Sequence, residues 1–161
     1  MEVYNLNDSS EREYKKILST AFKLLSIRDY TEKEMYIRLC RKKFNKDMIK
    51  SVLKELIIKG YINDEQYAEK WINNIAYSKY IGSNGIKHIL LKKGISYDII
   101  AEKLNNYNEY EAALLAAKKK EKQISYKGFK KNETKQILGR FLQRKGFTYD
   151  VIFRVLDEHD I

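Results

Sequence analysis

The residues best suited to chemistry in this 161-residue sequence are lysines, and the densest group lies between positions 118 and 131. Within these fourteen residues seven lysines accompany a single acid, Glu121. The lysines are Lys118, Lys119, Lys120, Lys122, Lys127, Lys130 and Lys131. Such a density favours contact with phosphates or with an acidic groove. The alternative is a solvated face whose lysine content reflects an AT-rich genome.

Three shorter basic groups recur at corresponding places along the chain. They are Arg41 with Lys42 and Lys43, Lys92 with Lys93, and Arg144 with Lys145. We predict that they form a row of partner contacts, because charges repeated at one structural position line up along a repeat protein. Cations also suit the negative end of a helix dipole, so three satisfied helix ends remain the alternative interpretation.

The net charge of +10 points to the same class of partner. Residues 1–60 carry +5, residues 61–110 are neutral, and residues 111–161 carry +5. The excess of positive charge therefore lies in the two end segments. This distribution favours a polyanionic partner that both ends contact.

Catalytic and metal-binding patterns are absent from the sequence. It contains neither a Gly-x-x-x-x-Gly-Lys-Ser/Thr phosphate loop nor a Gly-x-Ser-x-Gly nucleophile turn. A single cysteine, Cys40, allows no internal disulfide, and two histidines, His88 and His159, supply no metal-ligand cluster. We therefore predict a protein that is not an enzyme and that uses no cofactor or metal. Gly82 and Gly85 have the spacing of a phosphate-clamping loop, but that loop needs flanking strands, so we predict a turn.

Targeting signals are also absent. No apolar run approaches the ~20 residues of a membrane span, and the first thirteen residues are polar and acidic where a signal peptide is basic and then apolar. The sequence therefore predicts a cytoplasmic protein that is not a membrane protein.

An internal repeat organises the chain. Residues 90–104 align without gaps on residues 142–156, with seven of fifteen positions identical, and a weaker third copy covers residues 39–53. Asp47, Asp98 and Asp150 fall in register at offsets of 51 and 52. Each aspartate follows a helix-capping residue by two positions; these residues are Asn45, Ser96 and Thr148. Gly94 and Gly146 suit the left-handed end of the preceding helix, whereas the first copy has Lys43 there, which predicts a different turn.

Each period contains three stretches with the apolar spacing of a helix. Ala68, Trp71, Ile72 and Ile75 illustrate one such buried stripe, behind an Asn63 cap. The sequence thus predicts an all-α protein of three tandem three-helix repeats that form an elongated, curved stack, as a monomer. The predicted repeats cover residues 11–61, 62–107 and 108–161, after a loosely ordered stub of residues 1–10.

Aromatic residues offer a second kind of contact, because bases stack on exposed rings. Trp71 lies on the apolar stripe just described, so we predict that it belongs to the core. Four tyrosines lie near predicted loops, where both core packing and base stacking are open to them, and we predict core packing for most. They are Tyr77, Tyr80, Tyr107 and Tyr126.

Three sequence blocks resemble the RecX family. Residues 56–71, Leu-Ile-Ile-Lys-Gly-Tyr-Ile-Asn-Asp-Glu-Gln-Tyr-Ala-Glu-Lys-Trp, are similar to its signature of a leucine helix that ends at glycine and an aromatic-Ala-aromatic helix that follows. Residues 89–95 resemble its Leu-x-x-Lys-Gly-Ile block, and residues 142–147 its Arg-x-Gly-Phe block. The resemblance extends from Ala21 to Leu156, on a three-helix repeat found independently of it.

This resemblance implies a regulator, mainly an inhibitor, of RecA. Such a protein lies in the groove of the RecA–DNA filament and restrains ATP hydrolysis and strand exchange in recombination, DNA repair and the SOS response. The basic groups described above are then the expected filament or nucleic-acid contacts. We expect weak binding to single- and double-stranded DNA without sequence preference, because no row of base-reading residues is visible. A protein that acts on bare DNA, and a helical protein adaptor, are the alternatives.

Overall fold

A computed structural model of the chain describes residues 3–158, with side chains described from residue 9 onward. This part of the chain forms nine helices and no strand, which confirms the all-helical repeat. The helices are α1 (Val3–Leu25), α2 (Glu32–Cys40), α3 (Lys46–Ile58), α4 (Asp64–Trp71, a π-helical turn Ile72–Ala76, and Tyr77–Lys79), α5 (Ser83–Lys92), α6 (Tyr97–Leu104), α7 (Glu109–Ile124, followed by a 3₁₀ turn Ser125–Lys127), α8 (Lys131–Arg144) and α9 (Tyr149–Glu158).

Helix α1 begins at Val3, within the segment of residues 1–10 for which the sequence predicts a loosely ordered stub. Ile17 and Ala21 on the same helix are fully buried. Once packing of this kind holds a helix, each further residue adds a hydrogen bond without a new nucleation cost. No glycine or proline interrupts residues 3–25, so the helix continues toward the N-terminus.

The described chain divides into two compact units. The N-terminal unit comprises α1–α3, the first residues of α4 as far as Tyr67, and the loop Lys93–Ile95; the C-terminal unit comprises Ala68–Lys92 and the described residues from Ser96 onward. The core of the N-terminal unit is built from the predicted stripes, with Leu39, Ile49 and Leu56 fully buried. In the C-terminal unit Trp71 retains only 8% of its exposure, which confirms its predicted place in the core.

The predicted helix starts are largely confirmed. The Asn45 side chain accepts hydrogen bonds from the backbone N–H groups of Asp47 and Met48, and Ser96 Oγ accepts one from Ile99. These contacts satisfy donors that the first turn of a helix leaves without partners. Thr148 differs, because its hydroxyl donates to the carboxylate of Glu109 at 3.2 Å instead.

The different turn predicted at Lys43 is wrong. Lys43 adopts the left-handed conformation, with φ +62°, as Gly94 and Gly146 do with φ +96° and +80°. Its N–H donates to the carbonyl of Cys40 at 2.9 Å, as that of Gly146 does to Gln143 at the same distance. The helix-ending geometry therefore recurs in all three repeats, and the first repeat adopts it with a residue that has a Cβ.

Successive repeats meet through one recurring junction, seen first in the N-terminal unit. The hydroxyl of Thr31, the N-cap of α2, donates to the carbonyl of Lys93 at 2.7 Å, directly before the left-handed Gly94. A carboxylate at the start of α4 completes this junction, because Asp64 Oδ1 accepts the N–H of Glu32 at 3.0 Å. Burial raises the pKa of Asp64, although the hydrogen bond from Glu32 opposes the shift. The start of α2 is thus held by the next repeat.

The C-terminal unit contains the equivalent junction, in which the carboxylate accepts more hydrogen bonds. The N–H of Gly82 donates to the carbonyl of Lys145 at 2.9 Å, again directly before a left-handed glycine. Glu109, at the start of α7, accepts four hydrogen bonds, from the backbone N–H and hydroxyl of Ser83 at 2.9 and 2.8 Å and from those of Thr148 at 2.9 and 3.2 Å. One carboxylate thereby joins the starts of α5 and α9, where the positive ends of their dipoles favour a negative charge.

The prediction that Gly82 and Gly85 form a turn leaves out their packing role. A Cβ at Gly82 would overlap the backbone of Gly146 and Phe147, and a Cβ at Gly85 would lie 2.8 Å from the carbonyl oxygen of Lys145. The N–H groups of Asn84 and Gly85 both donate to the Gly146 carbonyl, at 2.9 and 3.3 Å. The two segments approach this closely because no side chain separates them.

We expect the substitution Lys43→Gly to stabilise the protein by about 1 kcal/mol, since glycine adopts positive φ without the Cβ clash that other residues suffer. Urea melts of the variant and of Lys43→Ala measure this difference. Lys43→Ala keeps the Cβ and is expected to melt like the parent, and an equal gain in both variants would contradict the backbone explanation.

We expect Gly82→Ala to destabilise the protein by about 2–3 kcal/mol or more, because the new methyl group meets rigid backbone. Gly139 in α8 is the matched control, since its Cβ would lie 3.4 Å from the flexible Leu156 side chain. Gly139→Ala is expected to be neutral or to stabilise by up to about 1 kcal/mol, from helix propensity alone. Thermal melts compare the two variants, and similar melting points would show that the close approach at Gly82 is unimportant.

Candidate functional site

The described residues contain no cluster of His, Cys, Asp and Glu able to hold a metal ion. Over the same residues no helix is long and apolar enough to cross a membrane. Cys40 is half-buried beside Tyr36, and this contact raises the pKa of the Tyr36 hydroxyl. His88 is exposed on α5.

Most of the predicted contact residues have exposed side chains. Those exposed are Arg41, Lys42, Lys43, Lys92, Lys118, Lys119, Lys122, Lys127, Lys130, Lys131 and Arg144, whereas Lys93, Lys120 and Lys145 are half-buried. The half-buried lysines differ in their contacts, because Lys93 pairs with a carboxylate whereas Lys120 and Lys145 lie over an aromatic ring.

In the C-terminal unit three helices bring lysines and aromatic rings together. Lys119 Nζ lies 5.4 Å from the centre of the Tyr80 ring. Lys120 Nζ and Lys145 Nζ lie 5.7 and 5.9 Å from the centre of the Phe141 ring. We call these five residues the basic-aromatic patch. Attraction between a cation and a ring face holds each ammonium group in place at the surface.

The helices of this unit explain how the patch is positioned. On α7 the residues Ala112, Ala113, Ala116 and Ala117 are buried. Lys120 follows Ala116 by four positions on the same helix face and is half-buried at its margin, next to α8. Tyr80 ends α4 in the left-handed conformation, with φ +50°. Lys145 Nζ donates to the carbonyl of Lys79 at 2.9 Å, so the ends of α4 and α8 are linked directly.

The patch unites residues that are distant in the sequence. The sequence predicted Lys119, Lys120 and Lys145 as contacts, and left Tyr80 open. It missed Phe141, which lies on the apolar stripe of α8 and is only half-buried. An aromatic residue at the margin of an apolar stripe, three or four residues before a basic helix end, is the sequence signal that indicates it.

A second basic cluster lies in the N-terminal unit, at the end of α2. Arg41, Lys42 and Lys43 are exposed and follow one another through the turn that ends the helix. They lie where the last carbonyl groups of α2 favour positive charge. We call these three residues the α2 cluster.

Lys93, which the sequence predicts as a partner contact, makes an ion pair within the N-terminal unit. Its Nζ lies 2.7 Å from Glu34 Oε1, with only 24% of its side chain exposed, and 5.3 Å from the Tyr67 ring centre. Burial disfavours the charged amine, yet the hydrogen bond to Glu34 prevails and raises the pKa of Lys93. Lys93 therefore stabilises the N-terminal unit through this ion pair, and its role as a partner contact stays a prediction.

The loop after α7 carries exposed rings among lysines. Tyr126 is 78% exposed and Phe129 is 40% exposed. Two of the other tyrosines near predicted loops, Tyr77 and Tyr80, are half-buried. The third, Tyr107, lies in the core, where its hydroxyl donates to the Ile81 carbonyl at 2.6 Å. Tyr126 alone among these four is exposed.

Fold and surface together define a class of protein. It is an all-helical protein of three-helix repeats, with clusters of positive charge at exposed helix ends and rings beside some of them.

Comparisons with known proteins name the family. The pattern of the first three-helix domain of RecX matches residues 18–56, and that of the third three-helix domain matches residues 107–156. The regulatory protein RecX of Clostridioides difficile is 33% identical over 176 residues, which cover 96% of this chain and 80% of that protein. The chain belongs to the RecX family.

Two further relatives extend the comparison. The regulatory protein RecX of Clostridium perfringens is 36% identical over 143 residues, 87% of this chain, and the match spans only 66% of that relative's length. The crystal structure of RecX from Lactobacillus salivarius superposes with a TM-score of 0.84 at 27% identity, covering 93% of this chain and 98% of that one. The similarity in fold thus extends over nearly the whole chain.

We expect weak DNA binding that is independent of sequence and falls steeply with salt. Neutralising two patch lysines, with Lys119→Gln and Lys120→Gln, should lower the slope of log K against log salt by about 0.9 for each lost contact to a duplex phosphate. Fluorescence anisotropy over a salt series measures the slope. The double variant Lys46→Gln and Lys54→Gln, which removes two exposed charges from α3, is the matched control; equal effects of the two variants would contradict a contact at the patch.

Proposed function

We propose that this chain is a regulator, mainly an inhibitor, of RecA. It binds in the groove of the RecA–DNA filament and restrains ATP hydrolysis and strand exchange. Family membership supports this proposal, because relatives of this chain carry the name regulatory protein RecX.

The observation that carries the proposal is the basic-aromatic patch. Its lysines come from α7 and α8 and its rings from the end of α4 and from α8, so a folded surface is required to assemble it. Within the described part of the chain these ammonium groups lie over rings and not beside a carboxylate, so their positive charge is available to a partner. A nucleoprotein filament supplies the phosphates and acidic side chains that such a surface attracts.

The α2 cluster provides a second point of contact in this proposal. Contacts at two places on one chain reinforce each other, because the second forms at high effective concentration once the first is made. Each contact alone is then weak, and loss of either one removes most of the binding.

A protein that acts on bare DNA is the second candidate function. The seven lysines between positions 118 and 131 favour it, since phosphate neutralisation alone produces non-specific DNA binding. The two functions differ in one respect: an inhibitor of the filament acts at concentrations where free DNA is not covered by it.

We expect replacement of Lys118, Lys119, Lys120 and Lys122 by Gln to weaken inhibition of RecA about as much as replacement of Arg41, Lys42 and Lys43 by Gln. RecA ATPase and strand exchange, measured against increasing concentrations of each variant, test this expectation. The melt of the α2 cluster variant should be nearly unchanged, because its three side chains are exposed. The variant on α7 should lose no more than about 1 kcal/mol, from the contact of half-buried Lys120 with Phe141.

The control for this test is a variant with Lys46, Lys50 and Lys54 on α3 replaced by Gln, which removes exposed charges outside both clusters. It should inhibit like the parent. If the two cluster variants also inhibit like the parent, neither cluster contacts the filament. If the parent protein leaves RecA activity unchanged while it coats DNA, the second candidate function replaces the first.

A further inference from the structure

The loop that connects α7 to α8 presents two aromatic rings to solvent. Its sequence, Ser125-Tyr-Lys-Gly-Phe-Lys-Lys131, includes Tyr126, which is 78% exposed, and Phe129, which is 40% exposed. Tyr126 has the highest exposure among the exposed large hydrophobic side chains of the described chain. We call residues 125–131 the aromatic loop.

The fold of the C-terminal unit is anchored on either side of these rings. Ile124, directly before the loop, is 7% exposed, and Leu138 on α8 is fully buried. The chain turns at Gly128, which has φ +65°, and a Cβ there would meet no heavy atom within 4 Å. The turn therefore lies at the open surface, and Tyr126 projects from it without packing into the core.

The charge around the rings indicates the chemistry of the partner. Lys122, Lys127 and Lys130 are exposed, and Lys127 Nζ lies 5.8 Å from the centre of the Tyr126 ring. Residues 118–131 contain seven lysines and no arginine. The buried centres of protein–protein interfaces are depleted in lysine and enriched in arginine, whereas lysines pair readily with phosphates. This composition favours a nucleic-acid backbone over a protein surface.

Exposed rings distinguish between the forms of nucleic acid. Bases of a duplex are stacked on one another, and their faces are closed to a side chain. Unpaired bases have a free face, and stacking on an aromatic side chain is tolerant of sequence because every base has such a face. Rings interleaved with lysines thus match a single strand, with the bases on the rings and the phosphates on the ammonium groups.

We infer that the aromatic loop is a single-strand binding element, in which Tyr126 and Phe129 stack on unpaired bases. Lys127 and Lys130 of the loop, together with the neighbouring Lys122 of α7, contact the adjoining phosphates. This inference rests on the proposed function, since it assigns to one loop the contact with the strand inside the nucleoprotein filament. It also gives the protein a preference for single-stranded over duplex DNA.

The test measures binding of the full chain to labelled oligo(dT) and to a duplex of the same length, without RecA. Tyr126→Ala should weaken oligo(dT) binding about 5- to 100-fold and leave the salt slope unchanged, because stacking releases no counterions. Lys127→Gln should instead reduce the slope for oligo(dT) by about 0.7. Tyr126→Phe retains the ring and should bind like the parent.

Tyr97 supplies a matched control on α6. It is 58% exposed, and Lys87 Nζ lies 6.0 Å from its ring centre, so it reproduces an exposed tyrosine beside a lysine outside a lysine-rich loop. Tyr97→Ala should leave oligo(dT) binding unchanged. The inference is overturned if Tyr97→Ala weakens oligo(dT) binding as much as Tyr126→Ala does. It is also overturned if Tyr126→Ala weakens binding to the duplex as much as binding to oligo(dT).

Measurements with RecA separate this inference from the proposed function. If Tyr126→Ala weakens inhibition of RecA but binds oligo(dT) like the parent, the loop contacts protein, and the inference is overturned while the proposed function stands. If the parent fails to inhibit RecA but Tyr126→Ala selectively loses oligo(dT), the proposed function fails and the single-strand element stands. If Tyr126→Ala loses binding to anionic lipid vesicles but binds oligo(dT) like the parent, the loop contacts a membrane surface and the inference is overturned.

Discussion

The structure depends on a carboxylate placed between helix starts that belong to different repeats. Glu109 accepts four hydrogen bonds from Ser83 and Thr148, and Asp64 makes the simpler version of the contact with Glu32. Each carboxylate satisfies backbone donors that a helix start leaves open, at the end of the dipole where negative charge is favoured. Repeats that have no strand to pair through are thereby joined by polar contacts of defined geometry, in addition to apolar packing.

This constraint also shapes the candidate site of the C-terminal unit. Gly82 and Gly146 approach without side chains between them, which brings the end of α4 next to the end of α8. Lys145 then reaches the carbonyl of Lys79 while its ammonium group lies near Phe141. The patch is therefore a consequence of the junction, because the same turn that closes one helix sets the position of its last cation.

Equivalent lysines in successive repeats have different surroundings. Lys93 and Lys145 precede the equivalent glycines Gly94 and Gly146, yet Lys93 is paired with Glu34 whereas Lys145 lies over a ring and donates to a carbonyl. An ion pair neutralises the charge within the fold, and a ring or a carbonyl leaves it in place. One repeat thus uses this lysine for stability, and the other retains a positive charge at the surface.

Apolar spacing and capping residues act within a few positions of one another, so the sequence predicts the nine helices of the described chain, most of their caps and most of the core. It also determined where positive charge is concentrated. The packing of distant segments, by contrast, sets the left-handed conformation of Lys43, the ion pair of Lys93 with Glu34, and the surface that Phe141 shares with Lys120 and Lys145. It also sets the exposure of Tyr126, because the nearby Ile124 occupies the core position. Helix periodicity and capping hydrogen bonds depend on neighbouring residues and can be recognised in the sequence. The partner of a side chain depends instead on which distant segments the junctions bring together.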